Sequence, residues 1–163
     1  MESAELRPLI AIVDDDLSSA NILAAILEED YETFIATTGA EALVMIKGLK
    51  PDLVLLDIML PDIGGYKICA ELKTQKETAK IPVIFVTGLE EGENGALGFA
   101  VGAVDYQSKP INADILKVRI ARILDNAMYI EFLEGLVTQK ELTIGVLSEN
   151  AEKLLRRGSD KVS

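Results

Sequence analysis

Several side chains able to do chemistry stand where short apolar stretches of this chain end. Asp14-Asp15-Asp16 follow Leu9–Val13, Asp57 follows Leu53–Leu56, Thr87 follows Pro82–Val86, and Lys109 comes just after Val104–Gln107. Grouped carboxylates repel one another, so either their pKa values rise or a cation neutralises them. Two or three carboxylates with room for waters and a phosphoryl group make an all-oxygen set suited to Mg²⁺. Asp14, Asp15 and Asp57 would supply it. A metal-bound carboxylate facing a phosphodonor can act as a nucleophile and become an acyl phosphate. Negative charge then spreads over the phosphoryl oxygens, where the Lys109 ammonium and the Thr87 hydroxyl would stabilise it. Asp16 is expected to turn away and start the following helix, where a negative charge is favoured.

The elements that must position these groups follow from apolar periodicity. Strands are expected at 9–13, 31–36, 53–56, 82–86 and 104–107. Helices are expected at 18–29, with Ile22, Ala25 and Ile26 on its face, at 39–49, with Leu43, Ile46 and Leu49, at 66–74, at 90–101, and from 113 with Asn112 as its cap. Lys50-Pro51 should end the second helix, because proline restricts the residue before it. Strands alternating with helices imply a five-stranded parallel sheet covered on both faces, an α/β doubly wound fold. Sites in such sheets lie beyond the carboxyl ends of the strands, where the acidic, hydroxyl and lysine groups fall. A cis Lys109-Pro110 bond would aim the lysine back at them, although only about 5% of X–Pro bonds are cis.

In sequence order, IVDDD, LVLLDIMLPDIGGY, IPVIFVTG and GAVDYQSKP resemble the motifs of the response-regulator receiver domain over roughly residues 8–125. The resemblance implies a flavodoxin-like (βα)5 fold and phosphorylation of Asp57 by a partner histidine kinase or a phosphotransfer protein. It implies that Asp15 ligates Mg²⁺ directly, Asp14 through water, and Met59 through its backbone carbonyl. Thr87 and Lys109 would contact the phosphoryl oxygens. Tyr106 would be the switch aromatic whose ring turns inward, moving the face made by the fourth strand, fourth helix, fifth strand and fifth helix. The usual Asp-Gly before the third helix is Gly64-Gly65 here. Met59 and Leu89 flank the expected line of water attack on the phosphorylated site, and neither can orient a water, so the modification should be long-lived. Gly88, Gly92, Gly95, Gly98 and Gly102 mark the fourth helix as the least stable, each interior glycine costing roughly 1 kcal/mol against alanine.

A rival reading is a Mg²⁺-dependent phosphatase of haloacid dehalogenase type, since Asp14-x-Asp16 satisfies its D-x-D. Phosphorylation at Asp57 separates the receiver, a switch and not an enzyme, from that reading, which requires Asp14. The absence of histidine excludes a Ser–His–Asp triad, a Cys–His pair and an internal phosphohistidine. The single cysteine, Cys69, excludes an intrachain disulfide and fits a small buried apolar role between Ile68 and Leu72.

Net charge is −11, of which residues 1–125 carry −10 (11 Lys/Arg against 21 Asp/Glu) and residues 126–163 carry −1 (5 against 6). Such acidity disfavours direct nucleic-acid binding. No apolar run approaches a membrane span and no signal-peptide pattern begins the chain, so a cytoplasmic protein is expected. Residues 1–125 read as the receiver and 126–163 as a C-terminal helix. Ile123, Asn126, Ile130, Leu133, Val137, Lys140, Ile144, Leu147, Ala151 and Leu154 alternate spacings of three and four. That stripe supports either a coiled-coil homodimer or a helix folded back on its own domain. The segment also resembles helical linkers to an output domain.

Overall fold

The computed structural model describes residues 6–160. The elements are β1 (Leu9–Val13), α1 (Leu17–Leu27), β2 (Glu32–Ala36), α2 (Gly39–Leu49), β3 (Leu53–Leu56), α3 (Gly65–Thr74), β4 (Val83–Thr87), α4 (Glu91–Ala100), β5 (Asp105–Ser108) and α5 (Ala113–Asp160). The five strands are all parallel, in the order β2-β1-β3-β4-β5. This is the flavodoxin-like doubly wound sheet, with its order reversing between β1 and β3. The chain divides into two compact units, Met1–Leu124 and Asp125–Ser163. No helix among the described residues is long and apolar enough to cross a membrane.

Period-two alternation divides each central strand between two apolar layers. Ala11, Val13, Val54, Leu56 and Phe85 pack with Ala42 and Ile46 of α2 and with Ile68, Cys69 and Leu72 of α3. Ile10, Ile12, Leu53, Leu55, Ile84 and Val86 pack on the other side with Ala20, Leu23 and Leu27 of α1 and with Leu116, Ile120 and Leu124 of α5. Both faces being covered is why β1 and β3 are apolar throughout. Burial also pushes the Cys69 thiol pKa up, consistent with an inert core role.

Some expectations are corrected. The core face of α1 is Ala20, Leu23 and Leu27, whereas Ile22 is 61% exposed. Leu49 of α2 is also exposed. That helix ends at Leu49 as Lys50-Pro51 predicts: Lys50 leaves the right-handed helical region for a left-handed conformation (φ 48°), and its N–H donates to the Ile46 carbonyl. Ile123 packs against the α1/α5 layer, so it cannot begin an outward-facing stripe.

In α4 the helical geometry breaks at Gly92, and the capping residue Glu90 makes no side-chain capping bond. Gly98 lies against Phe85, where a Cβ would come within 2.9 Å of the ring. Two phenols hold the start of this element: Tyr106 donates to the carbonyl oxygens of Leu89 (2.9 Å) and Glu90 (3.4 Å), and Tyr66 donates to that of Asn94 (3.0 Å). Amide hydrogen exchange is therefore expected to be faster across α4 than across α3, whose Ile68, Cys69 and Leu72 are fully buried. Equal protection of the two helices would contradict this.

Candidate functional site

The site is assembled by strand ends. Asp14 follows β1 and its N–H bonds the Ala36 carbonyl at the end of β2 (3.1 Å). Asp57 follows β3 and its N–H bonds the Val13 carbonyl (2.9 Å), which fixes its backbone to the end of β1. Ligand oxygens of Asp14, Asp15 and Asp57 all lie within 4.8 Å of one another. Asp14 and Asp57 are buried while Asp15 is exposed. The Lys109 ammonium sits among them, 2.7 Å from Asp14 Oδ2 and 3.2 Å from Asp57 Oδ2. Burial works against this ammonium. The hydrogen bond with Asp14 and the charges of Asp57 and Asp14 together outweigh it, and the Lys109 pKa is raised.

Lys109 is anchored by its own N–H, which bonds the Thr87 carbonyl (2.8 Å), and the Lys109-Pro110 peptide is cis. Thr87 is buried at the end of β4, beside β3, and its hydroxyl oxygen accepts a long bond from Leu89 N–H (3.5 Å). Asp16 faces away from the cluster: its carboxylate caps α1 by accepting from Ser18 and Ser19 N–H. Tyr106 is buried, its ring 6.5 Å from that of Phe85.

The loop after β3 is held at both ends. Met59 N–H donates to Asp57 Oδ1 (3.2 Å), and Gly65 N–H donates to the Ile58 carbonyl (2.8 Å). Gly65 has no room for a side chain, because a Cβ would collide with the Asp57 carbonyl oxygen and lie 2.7 Å from the Ile58 Cα. Gly64 has open space around it, so the departure from Asp-Gly falls on the tolerant position.

Sequence reasoning missed Asp62. Its carboxylate accepts from Gly39 N–H (2.7 Å) and Ala40 N–H (2.9 Å), tying the site loop to the first turn of α2. The Ala40 bond, then that of Gly39, holds the Asp62 pKa below the ordinary 3.8. The sign follows: this stabilisation is complete above pH 3.8 and is lost as pH falls through the lower folded value. Asp62→Ala should therefore lower the melting temperature at neutral pH and speed exchange of the Gly39 and Ala40 amides, with the difference from wild type vanishing in acid. A gap that persisted at low pH would show that the tether is not electrostatic.

Comparison with known proteins agrees with this architecture. Residues 10–121 match the family described as "Response regulator receiver domain". A protein of Vibrio cholerae serotype O1 named "Probable cyclic di-GMP phosphodiesterase" is 39% identical over 117 residues, covering 72% of this chain and 26% of that protein. The DNA-binding dual master transcriptional regulator RpaA of Synechocystis is 34% identical over 118 residues, 72% of this chain and 49% of its own length. The crystal structure of a CheY-like response regulator receiver domain protein from Methanospirillum hungatei superposes with a TM-score of 0.70 at 34% identity, covering 76% of this chain and 98% of that one.

The fold and site thus define a phosphoacceptor-type signalling module. The chain belongs to the response regulator receiver domain family and is a two-component receiver. It spans between a quarter and a half of the two curated relatives described above. The phosphatase alternative finds no support: the matched family is the receiver, and Asp16, the second acid of its D-x-D, is occupied in capping α1.

Proposed function

We propose that Asp57 accepts a phosphoryl group from the phosphohistidine of a sensor kinase or phosphotransfer protein, in the cytoplasm. The observation that carries this reading is the meeting of Asp14, Asp15, Asp57 and Lys109, from three separate strand ends, at one rim. An Asp57 carboxylate oxygen attacks phosphorus, the donor's P–N bond breaks, and the imidazole, already protonated on its other ring nitrogen, leaves with the bonding electron pair as a neutral ring. Lys109 and the Thr87 hydroxyl would receive the charge that develops on the phosphoryl oxygens.

The donor set fits Mg²⁺. It is all oxygen, and one ammonium, paired with Asp14 and Asp57, stands against a cluster of three carboxylates, which leaves negative charge for a divalent cation to neutralise. Asp14, Asp15, Asp57 and the Met59 carbonyl would hold it. Once bound, the cation supplies charge neutralisation for both the carboxylates and the incoming phosphoryl group. Tyr106, bonded to the carbonyl oxygen of Leu89, then passes the change at Thr87 to α4 and β5. From there it reaches α5, whose C-terminal part offers a surface for self-association.

Incubation with acetyl phosphate and Mg²⁺, followed by peptide mapping, should place one phosphoryl group on Asp57. A label on Asp14 or another aspartate would sink the reading. The modification should also be long-lived, because Met59 and Leu89 present no group that could orient a water. Met59→Asn combined with Leu89→Glu should shorten the phosphorylated lifetime, read by intact mass over time. An unchanged lifetime would show that other contacts govern hydrolysis.

A further inference from the structure

Every side chain from Glu131 to Ser159 is exposed, yet the apolar ones are ordered. With Ile123 taken by the core, the stripe begins at Ile130 and runs through Leu133, Val137, Lys140, Ile144, Leu147, Ala151 and Leu154. At a rise of 1.5 Å per residue it is about 36 Å long. Among its members Ile130 is 55% exposed, Val137 57% and Leu147 63%. A row this long holds a helix in water only when something covers it.

We infer that the cover is a second copy of this chain, paired as a two-stranded parallel coiled coil in the one register that sets each Lys140 beside the partner's Glu141. The inference rests on the self-association reading above and gives it a geometry. Three observations choose the occupant. In heptad terms the a positions are Ile130, Val137, Ile144 and Ala151, and the d positions are Leu133, Lys140, Leu147 and Leu154. β-branched residues at a with leucine at d favour two parallel strands. The helix also carries a shallow groove lined by Ile130, Leu133, Glu134, Val137 and Thr138. Four of these are consecutive a, d, e and a positions, the diamond into which a facing d side chain inserts in parallel pairing, so this groove would receive the partner's Leu133.

The third observation is charge. A d side chain in parallel pairing lies beside the e position of the other strand, and the residue after Lys140 is Glu141. In register, the two lysines share one seam layer, and the other strand's Glu141 carboxylate beside each ammonium offsets their mutual repulsion. Sliding one strand by a heptad leaves one lysine beside Glu134 and the other beside Ser148, so one ammonium is stranded at the seam. A polar residue within the seam thus acts as a register pin, at some cost in stability.

Sedimentation equilibrium of the full chain should give about twice its 17.7 kDa mass. Val137→Cys should form a covalent dimer on oxidation, since paired a positions lie within disulfide reach. Cys69, fully buried, does not compete. Lys140→Glu should weaken association by about tenfold or more, and adding Glu141→Lys should restore it. Circular dichroism confirms that each variant keeps its helix content. A monomer at all concentrations would overturn both this geometry and the self-association reading. A dimer whose Val137→Cys variant fails to cross-link, or one indifferent to the charge swap, would overturn the parallel register and leave self-association standing. A trimer or tetramer would overturn the two-stranded pairing.

Discussion

Asp57→Asn should take up no phosphoryl group from acetyl phosphate and Mg²⁺, a loss of roughly a thousandfold or more, as for other removed nucleophiles. The amide has nearly the shape of the carboxylate but no anionic oxygen to form the new P–O bond. The fold should survive. Asp57 is positioned by its backbone bond to Val13, which the substitution does not touch, and Lys109 keeps its shorter contact with Asp14. Removing one of three crowded carboxylates also relieves repulsion, so the melting temperature in the absence of metal should hold or rise. Intact-mass spectrometry and thermal denaturation on the same sample check both halves. Residual uptake in this variant would mean that a different residue accepts the phosphoryl group.

Lys109→Met is the second large effect, and it has two signatures. The transfer rate should fall by about 10²–10³-fold, as when one donor to a developing oxyanion is removed. Without metal the fold should also weaken by about 2 kcal/mol, because Asp14 and Asp57 are then buried beside each other with no cation. Lys109 is partly open to solvent, which keeps that figure below the cost of breaking a fully buried pair. Mg²⁺ should recover stability in the variant more than in the wild type, since it finds more uncompensated charge. The pH dependence has a definite sign. The Lys109 pKa is raised on folding, so its contribution is complete below the ordinary lysine value of 10.5 and is lost only as pH rises through the higher folded value. Denaturation curves of the two proteins should therefore differ by a constant amount across neutral pH and converge in strong alkali.

The parts legible in the sequence share a physical cause. β1 and β3 are apolar throughout and end at acidic residues, so their limits and the groups at their ends could be read directly. α1 was harder. LSSANILAAIL is apolar on more than one face, and only packing against Ile10, Ile12, Leu53 and Leu55 selects Ala20, Leu23 and Leu27 over Ile22. Asp62 was illegible because its partners, Gly39 and Ala40, lie more than 20 residues away and are backbone groups with no side-chain signature. Ile123 continues the three-four spacing of the tail, yet the tertiary core claims it. Local periodicity names the apolar residues of a helix without saying which neighbour each one meets.

The mounting of Asp57 has a mechanical consequence. β3 is hydrogen-bonded on both sides, by β1 and β4, whereas β5 pairs on one side only and carries Tyr106, with Lys109 just beyond its end. The nucleophile is set in the stiffest part of the sheet and its responders at the compliant rim. On the proposed reading the site would behave like an anvil: work done at position 57 would not be absorbed by recoil of its own backbone, and displacement is expected downstream in β5 and α4.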